Sequence, residues 1–222
     1  GISNVAIGRQ ALRFNTTASN NTAVGFQSLY DNTTGTENVA VGRLALNQAT
    51  TASYNTAIGT NALQDNTTGD NNTALGRSAL TNNTTAANNT AVGYKAGVAV
   101  TTGDNNTAVG SQALDANTTA SNNVAVGYAA LSANTTGTFN TALGTTALLK
   151  NTTANNNVSV GYQSLYDNTT GAANVALGTN ALGNNTTASN NIAVGYQALT
   201  TNTTGADNVA VGQKALYSNT TG

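Results

Sequence analysis

An all-β fold, a β-solenoid of thirteen 17-residue rungs, is predicted by three observations: an unbroken period, a small set of fixed positions within it, and an apolar alternation typical of strands. Glycines recur at Gly8, Gly25, Gly42 and onward to Gly212 in steps of seventeen, with no insertion or deletion. One copy per turn of a coil explains the constant phase, because each rung must set its residues over the same residues of the rung below. Residues 1–222 therefore read as a single repeat array.

The first element of each rung is the strand. Asn stands four residues before the glycine from Asn4 to Asn208, a β-branched residue stands three before (Val5, Thr22, Thr56, Ile192), and Ala stands two before except at Ser159. Val, Ile or Leu directly precedes the glycine. Side chains alternate between the two faces of a strand, so Val39 and Val41 share one face and Asn38, Ala40 and Gly42 the other. The small groups of the second face imply a close approach by another layer.

The second element is an Ala-Leu pair, as in Ala62-Leu63 and Ala181-Leu182, with Ser at Ser28 and Ser164 and with Leu missing only at Gly97. Ala and Leu favour helices, but the short period leaves no room for a helix of roughly 10 residues beside the Gly and the Thr-Thr pair. The third element is a turn, Asn-Thr-Thr followed by Ala or Gly, held by an Asn side-chain bond to the backbone. Ala and Gly alternate there from Ala18, Gly35 and Ala52 to Gly205, which suggests a 34-residue unit, and a left-handed Gly would separate the two turn types. Gly222 departs from that alternation.

Stacked identical residues predict amide ladders of Asn and hydroxyl ladders of Thr along the array. The apolar residues of one rung are too few to offset the ordering of its backbone. A narrow coil filled by Ala, Gly and Asn drives Val, Ile and Leu outward against another chain, which favours a parallel homotrimer around an aliphatic stripe. The alternative places Val and Leu inside a monomeric coil, and the sequence leaves both open.

Composition excludes several classes of function. The chain has no His, Cys, Met, Trp or Pro, and its seven basic and eight acidic residues nearly cancel. Disulfides and thiolate metal sites are impossible, no cofactor is expected, and a nucleic-acid partner lacks the clustered cations it requires. No apolar run is long enough to insert this segment into a membrane. Gly69-Asp70-Asn71-Asn72 and Gly103-Asp104-Asn105-Asn106 have the composition of calcium loops, yet the acid is missing from most copies. Without a unique cluster of titratable groups, an enzyme is not expected. The chain opens inside a repeat and stops just after Asn219-Thr220-Thr221, which reads as an excerpt of a longer fibre.

The phrase Asn123-Val124-Ala125-Val126-Gly127-Tyr128-Ala129-Ala130 resembles the head repeat of trimeric autotransporter adhesins. The longer phrase through Asn-Thr-Thr-Gly is similar to repeats in phage tail-fibre shafts and related bacterial surface fibres. That resemblance covers the whole chain and implies a trimeric, left-handed β-roll at a cell surface or on a virion, working in reach or adhesion.

Specific chemistry is expected at the variable positions, since packing explains the fixed ones. Just after the glycine stand Arg9, Phe26, Arg43, Arg77, Tyr94, Tyr128, Tyr162 and Tyr196, with Tyr30, Tyr166 and Tyr217 in a second column. Such rows suit stacking on sugars or contact with a neighbouring fibre, or simply cover a sheet edge. Copy six is irregular over Lys95–Val100, a mark of a local site or of drift. Asn15, Asn32, Asn66 and Asn117 begin Asn-Thr-Thr and fit the glycosylation pattern, although a turn amide explains them without a sugar. Three functions follow: an extracellular structural shaft, a glycan- or surface-binding adhesin, and an ice-binding threonine array.

Overall fold

A computed structural model describes residues 1–221; Gly222, and with it the break in the Ala/Gly alternation, lies outside them. The chain forms two compact units, Gly1–Ser111 and Gln112–Gly222. The first holds seven three-residue strands, from β1 (Val5–Ile7), β2 (Thr22–Val24) and β3 (Val39–Val41) to β7 (Thr107–Val109). The second holds six, from β8 (Val124–Val126) and β9 (Thr141–Leu143) to β13 (Val209–Val211).

Within each unit, strands adjacent in sequence pair in parallel, and the register offset is one repeat, as in Val5 with Thr22 and Val158 with Val175. Both units are therefore β-solenoids, and no helix occurs among the described residues. Pairing does not stop where the strand ends. In the second rung the N–H groups of Thr22, Leu29 and Asp31 donate forward to Asn38, Ala45 and Asn47, while those of Gly25, Gln27 and Glu37 donate back to Ile7, Arg9 and Ser19, over 2.8–3.2 Å. The corners thus satisfy their backbone groups from neighbouring rungs, as buried peptide groups must.

The expected aliphatic stripe divides in two. Ala23 and Asn21 on the inner face of β2 are fully buried, whereas Thr22 and Val24 on its outer face stay partly open. Leu29, by contrast, lies wholly inside the coil, as do its equivalents Leu46, Leu63 and Leu80. Neither arrangement foreseen from sequence holds for both: Val faces out and Leu faces in. The corner causes the split, because Gln27 and Leu29 both take left-handed conformations (φ 53° and 47°), and Leu29 fills the interior that Ala and Asn leave open. A left-handed L-residue costs about 1–2 kcal/mol. Burying a leucine contributes about 1.5–3 kcal/mol, which offsets the cost at Leu29 itself.

The invariant glycine has two separate reasons to lack a side chain. Gly25 sits at φ 133°, and a Cβ there would stand 2.5 Å from the carbonyl oxygen of Gly42 in the next rung. The turn glycine behaves otherwise than expected: Gly35 is not left-handed. It is small because a Cβ would meet the Ala52 carbonyl oxygen at 2.0 Å and Asn32 Oδ1 at 2.6 Å.

Two asparagine columns fill the coil beside leucine. In the first, Asn21 Nδ2 reaches across the rung to Gly35 O (2.9 Å) and its Oδ1 accepts the backbone N–H of Asn38 (2.9 Å). In the second, Asn151, Asn168 and Asn185 each donate from Nδ2 to the Oδ1 one rung earlier, over 2.9–3.1 Å. Threonine does not build the expected hydroxyl ladder, because Thr33 Oγ1 donates to the backbone carbonyl of Thr50 (2.9 Å).

Copy six keeps this plan by a paired exchange. Gly97 takes the leucine position at φ 57° and Val100 takes the asparagine position, fully buried, with 3.5 Å between a Cβ on Gly97 and Val100 Cγ2. Bulk lost at one site returns at its neighbour.

Candidate binding surface

The variable residues after each central glycine form an outward column on both units. In the first unit Arg9, Arg43 and Arg77 are exposed and Phe26 is half-buried. Ring faces there are covered by cations: Arg9 lies 5.9 Å from the Phe26 centroid, and Arg77 and Lys95 lie 5.6 and 5.5 Å from that of Tyr94. Rung stacking sets the two arginine contacts, since a side chain one repeat away lies directly alongside, and Lys95 reaches Tyr94 as its chain neighbour.

The second unit is different. Its column reads Tyr128, Thr145, Tyr162, Thr179, Tyr196, Gln213, so tyrosine occupies every second rung. The three tyrosines are 54%, 50% and 46% exposed. Among the described residues, no cation stands over any of them.

The second aromatic column is more self-contained. Phe14 and Tyr30 meet edge to face at 4.9 Å under Arg13, Tyr166 carries Lys150 at 5.1 Å, and Tyr217 carries Lys214 at 5.8 Å. Lys150 also donates to Asp167 over 2.7 Å, and this partner raises the lysine above its ordinary pKa.

A recess of about 340 Å³ opens beside this column, lined by Gln163, Tyr166, Asp167, Asn180, Gly183 and Thr200 among others. Gly183 takes the position of Tyr166 one rung before and Thr200 one rung after, so the recess is a missing side chain. The departure of a single glycine from a column of larger residues was its only mark in the sequence.

Several expected sites resolve into structure. Asn32, Asn66 and Asn117 are fully buried, and the nitrogen that would bear a glycan donates to Gly35, Gly69 and Ala120 carbonyls over 2.9–3.0 Å. Asn15 is half-buried, with its amide on Ala18 O at 3.2 Å. At these four positions the amide closes the turn. The Asp70 and Asp104 carboxylates accept the backbone N–H of Ser53 and Ala87, each at 2.7 Å, a task that Ser53 Oγ performs for Thr36 one rung earlier. No group of three or more His, Cys, Asp or Glu residues gathers among the described residues.

No family model, curated protein or solved structure matches this chain.

Proposed function

We propose that the chain is a shaft segment of an extracellular fibre, assembled as a parallel homotrimer whose protomers meet on the outer aliphatic face of the strands. The outward column itself carries this reading. Val24, Ile58, Leu75, Leu143, Leu177 and their equivalents face out of the coil although the position is always Val, Ile or Leu. An aliphatic requirement at partly open positions is unexplained by the packing of one chain and is natural at an interface. Subunit count by light scattering with cryo-electron microscopy of the cross-section tests it: three parallel chains support the trimer, and one chain per cross-section removes it.

Adhesion to surface glycans is a second reading, favoured by the exposed tyrosines of the second unit. Ice binding is the third. Thr17, Thr34, Thr51 and their equivalents are exposed in every rung, but the neighbouring Thr33 column is half-buried with its hydroxyl bonded to backbone, which leaves the array one residue wide. Thermal hysteresis measurements test that surface directly.

A further inference from the structure

We infer that the column Tyr128, Tyr162, Tyr196 binds a neutral, extended β-1,4-linked polysaccharide lying along the solenoid axis. This inference rests on the glycan reading and is independent of the shaft.

Spacing comes first. Parallel strands one rung apart are separated by about 4.8 Å, so rings in alternate rungs recur at about 9.6 Å. In an extended β-1,4-linked chain each sugar is turned over relative to the last, so every second ring presents the same apolar C–H face. Its disaccharide repeat is close to the two-rung distance. A ring in every rung would stack on its neighbour rather than on a ligand. Thr145 and Thr179, standing between the tyrosines, leave those faces open.

Accessibility comes second. The rings are about half exposed and no cation covers them among the described residues, whereas Phe26 and Tyr94 in the first unit have their faces occupied. An uncovered aromatic face on a rigid scaffold matches the C–H face of a pyranose, and the phenol oxygen is available to hydroxyls.

Polarity and charge come third. The position after the column residue carries Ala129, Thr146, Gln163, Asn180, Gln197 and Lys214, so four of the six are amides or hydroxyls, and Gln163 and Asn180 also line the recess beside Tyr166. Amides and hydroxyls of this kind pair with sugar hydroxyls in either direction. The second unit has two basic residues, Lys150 and Lys214, and three acidic ones, Asp115, Asp167 and Asp207. With Lys150 held by Asp167, no cluster of cations is left to favour an anionic polymer.

Retention of the intact protein on regenerated cellulose and on chitin, with titration of cellohexaose, tests the inference; dextran and amylose serve as controls without the extended geometry. Binding to cellohexaose is expected, with loss of at least tenfold for Tyr162→Ala, loss below detection for the triple Tyr→Ala variant, and near-native binding for Tyr162→Phe. Thr179→Tyr, which fills the gap between rings, is expected to weaken binding as well. Equal retention on dextran or amylose, or an undiminished triple variant, overturns the inference. Should a glycan array show tyrosine-dependent binding to other sugars only, the axial β-1,4 ligand is wrong while the adhesive reading stands. Subunit count and melting temperature of each variant are recorded alongside, and a triple variant that loses assembly assigns the tyrosines to a protomer contact and likewise overturns the inference.

Discussion

Ala49 stands one rung beyond Asn32 at the position from which most other rungs donate an asparagine amide, and Asn32 Oδ1 is buried without a hydrogen-bond partner, as is Asn15 Oδ1 one rung before it. Between Asn66 and Asn83 the same step is bridged at 3.2 Å. At the other interruption, Val100, the oxygen of Asn83 is rescued locally by the N–H of Ala86 at 3.1 Å. The ladder is a chain of donors and acceptors in which one substitution strands the group below it.

Ala49→Asn should therefore stabilise the first unit. The new amide supplies Asn32 Oδ1, and its own oxygen faces Asn66 as in intact rungs. A gain of about 1 kcal/mol is expected for a satisfied buried pair, read as a higher denaturant midpoint at unchanged slope. A fall in the midpoint would show that the position cannot hold an amide in this unit.

Asn151→Ala should do the reverse in the second unit. Asn134 Oδ1 loses its 2.9 Å donor and Asn168 Nδ2 loses one of its two acceptors, keeping Gly171 O, while a cavity opens in the coil. About 1–3 kcal/mol of destabilisation follows from the stranded groups. Hydrogen exchange should show protection lost first in the rungs around Asn151.

Gly161→Ala and Gly183→Ala separate the two roles of glycine. Gly161 holds φ 129° with a Cβ position 2.7 Å from the Gly178 carbonyl, whereas a Cβ on Gly183 finds its nearest neighbour, Asn180 O, at 3.3 Å. The first change should cost about 2 kcal/mol or more through strain and clash. The second should be near neutral and should narrow the recess. Comparable thermal melts for the two variants would contradict this assignment.

Burial raises the Asp65 carboxyl above its ordinary value against a smaller opposing hydrogen bond from Gln64. A carboxyl raised in the folded state binds its proton more tightly there than when unfolded, so its contribution falls as pH rises from the unfolded value through the folded one. Asp65→Asn should thus flatten a small decline in melting temperature above about pH 4 and change little below it. A steeper decline in the variant would reverse the sign.

Leu143→Glu combined with Leu177→Glu tests the outer face. Both side chains are exposed in the single chain, so the solenoid should persist by circular dichroism while the proposed trimer dissociates. An unchanged subunit count would remove these columns from the protomer contact.

The strand, the rung period and the asparagine columns were all legible because each is an identity repeated at one offset. Val39, Ala40 and Val41 announce a strand by alternation, and they form one. Direction beyond the strand was not legible, because a leucine carries no sign that its backbone is left-handed. The position of Leu29 depends on corner geometry that only stacking of whole rungs stabilises. The uncovered tyrosines were half legible: their column is visible in sequence, but whether a cation lies over each ring depends on which residue the adjacent rung contributes.

Side-chain hydrogen bonds within each unit run to the adjacent rung, as from Asn47 to Gln27 and from Thr200 to Asn180, each 20 residues along the sequence. Every rung thus knows only its immediate neighbours. Removing or duplicating one seventeen-residue copy would return the same backbone register on either side of the junction. Length in such a molecule can change in whole-rung steps while the structural rules of each rung stay the same.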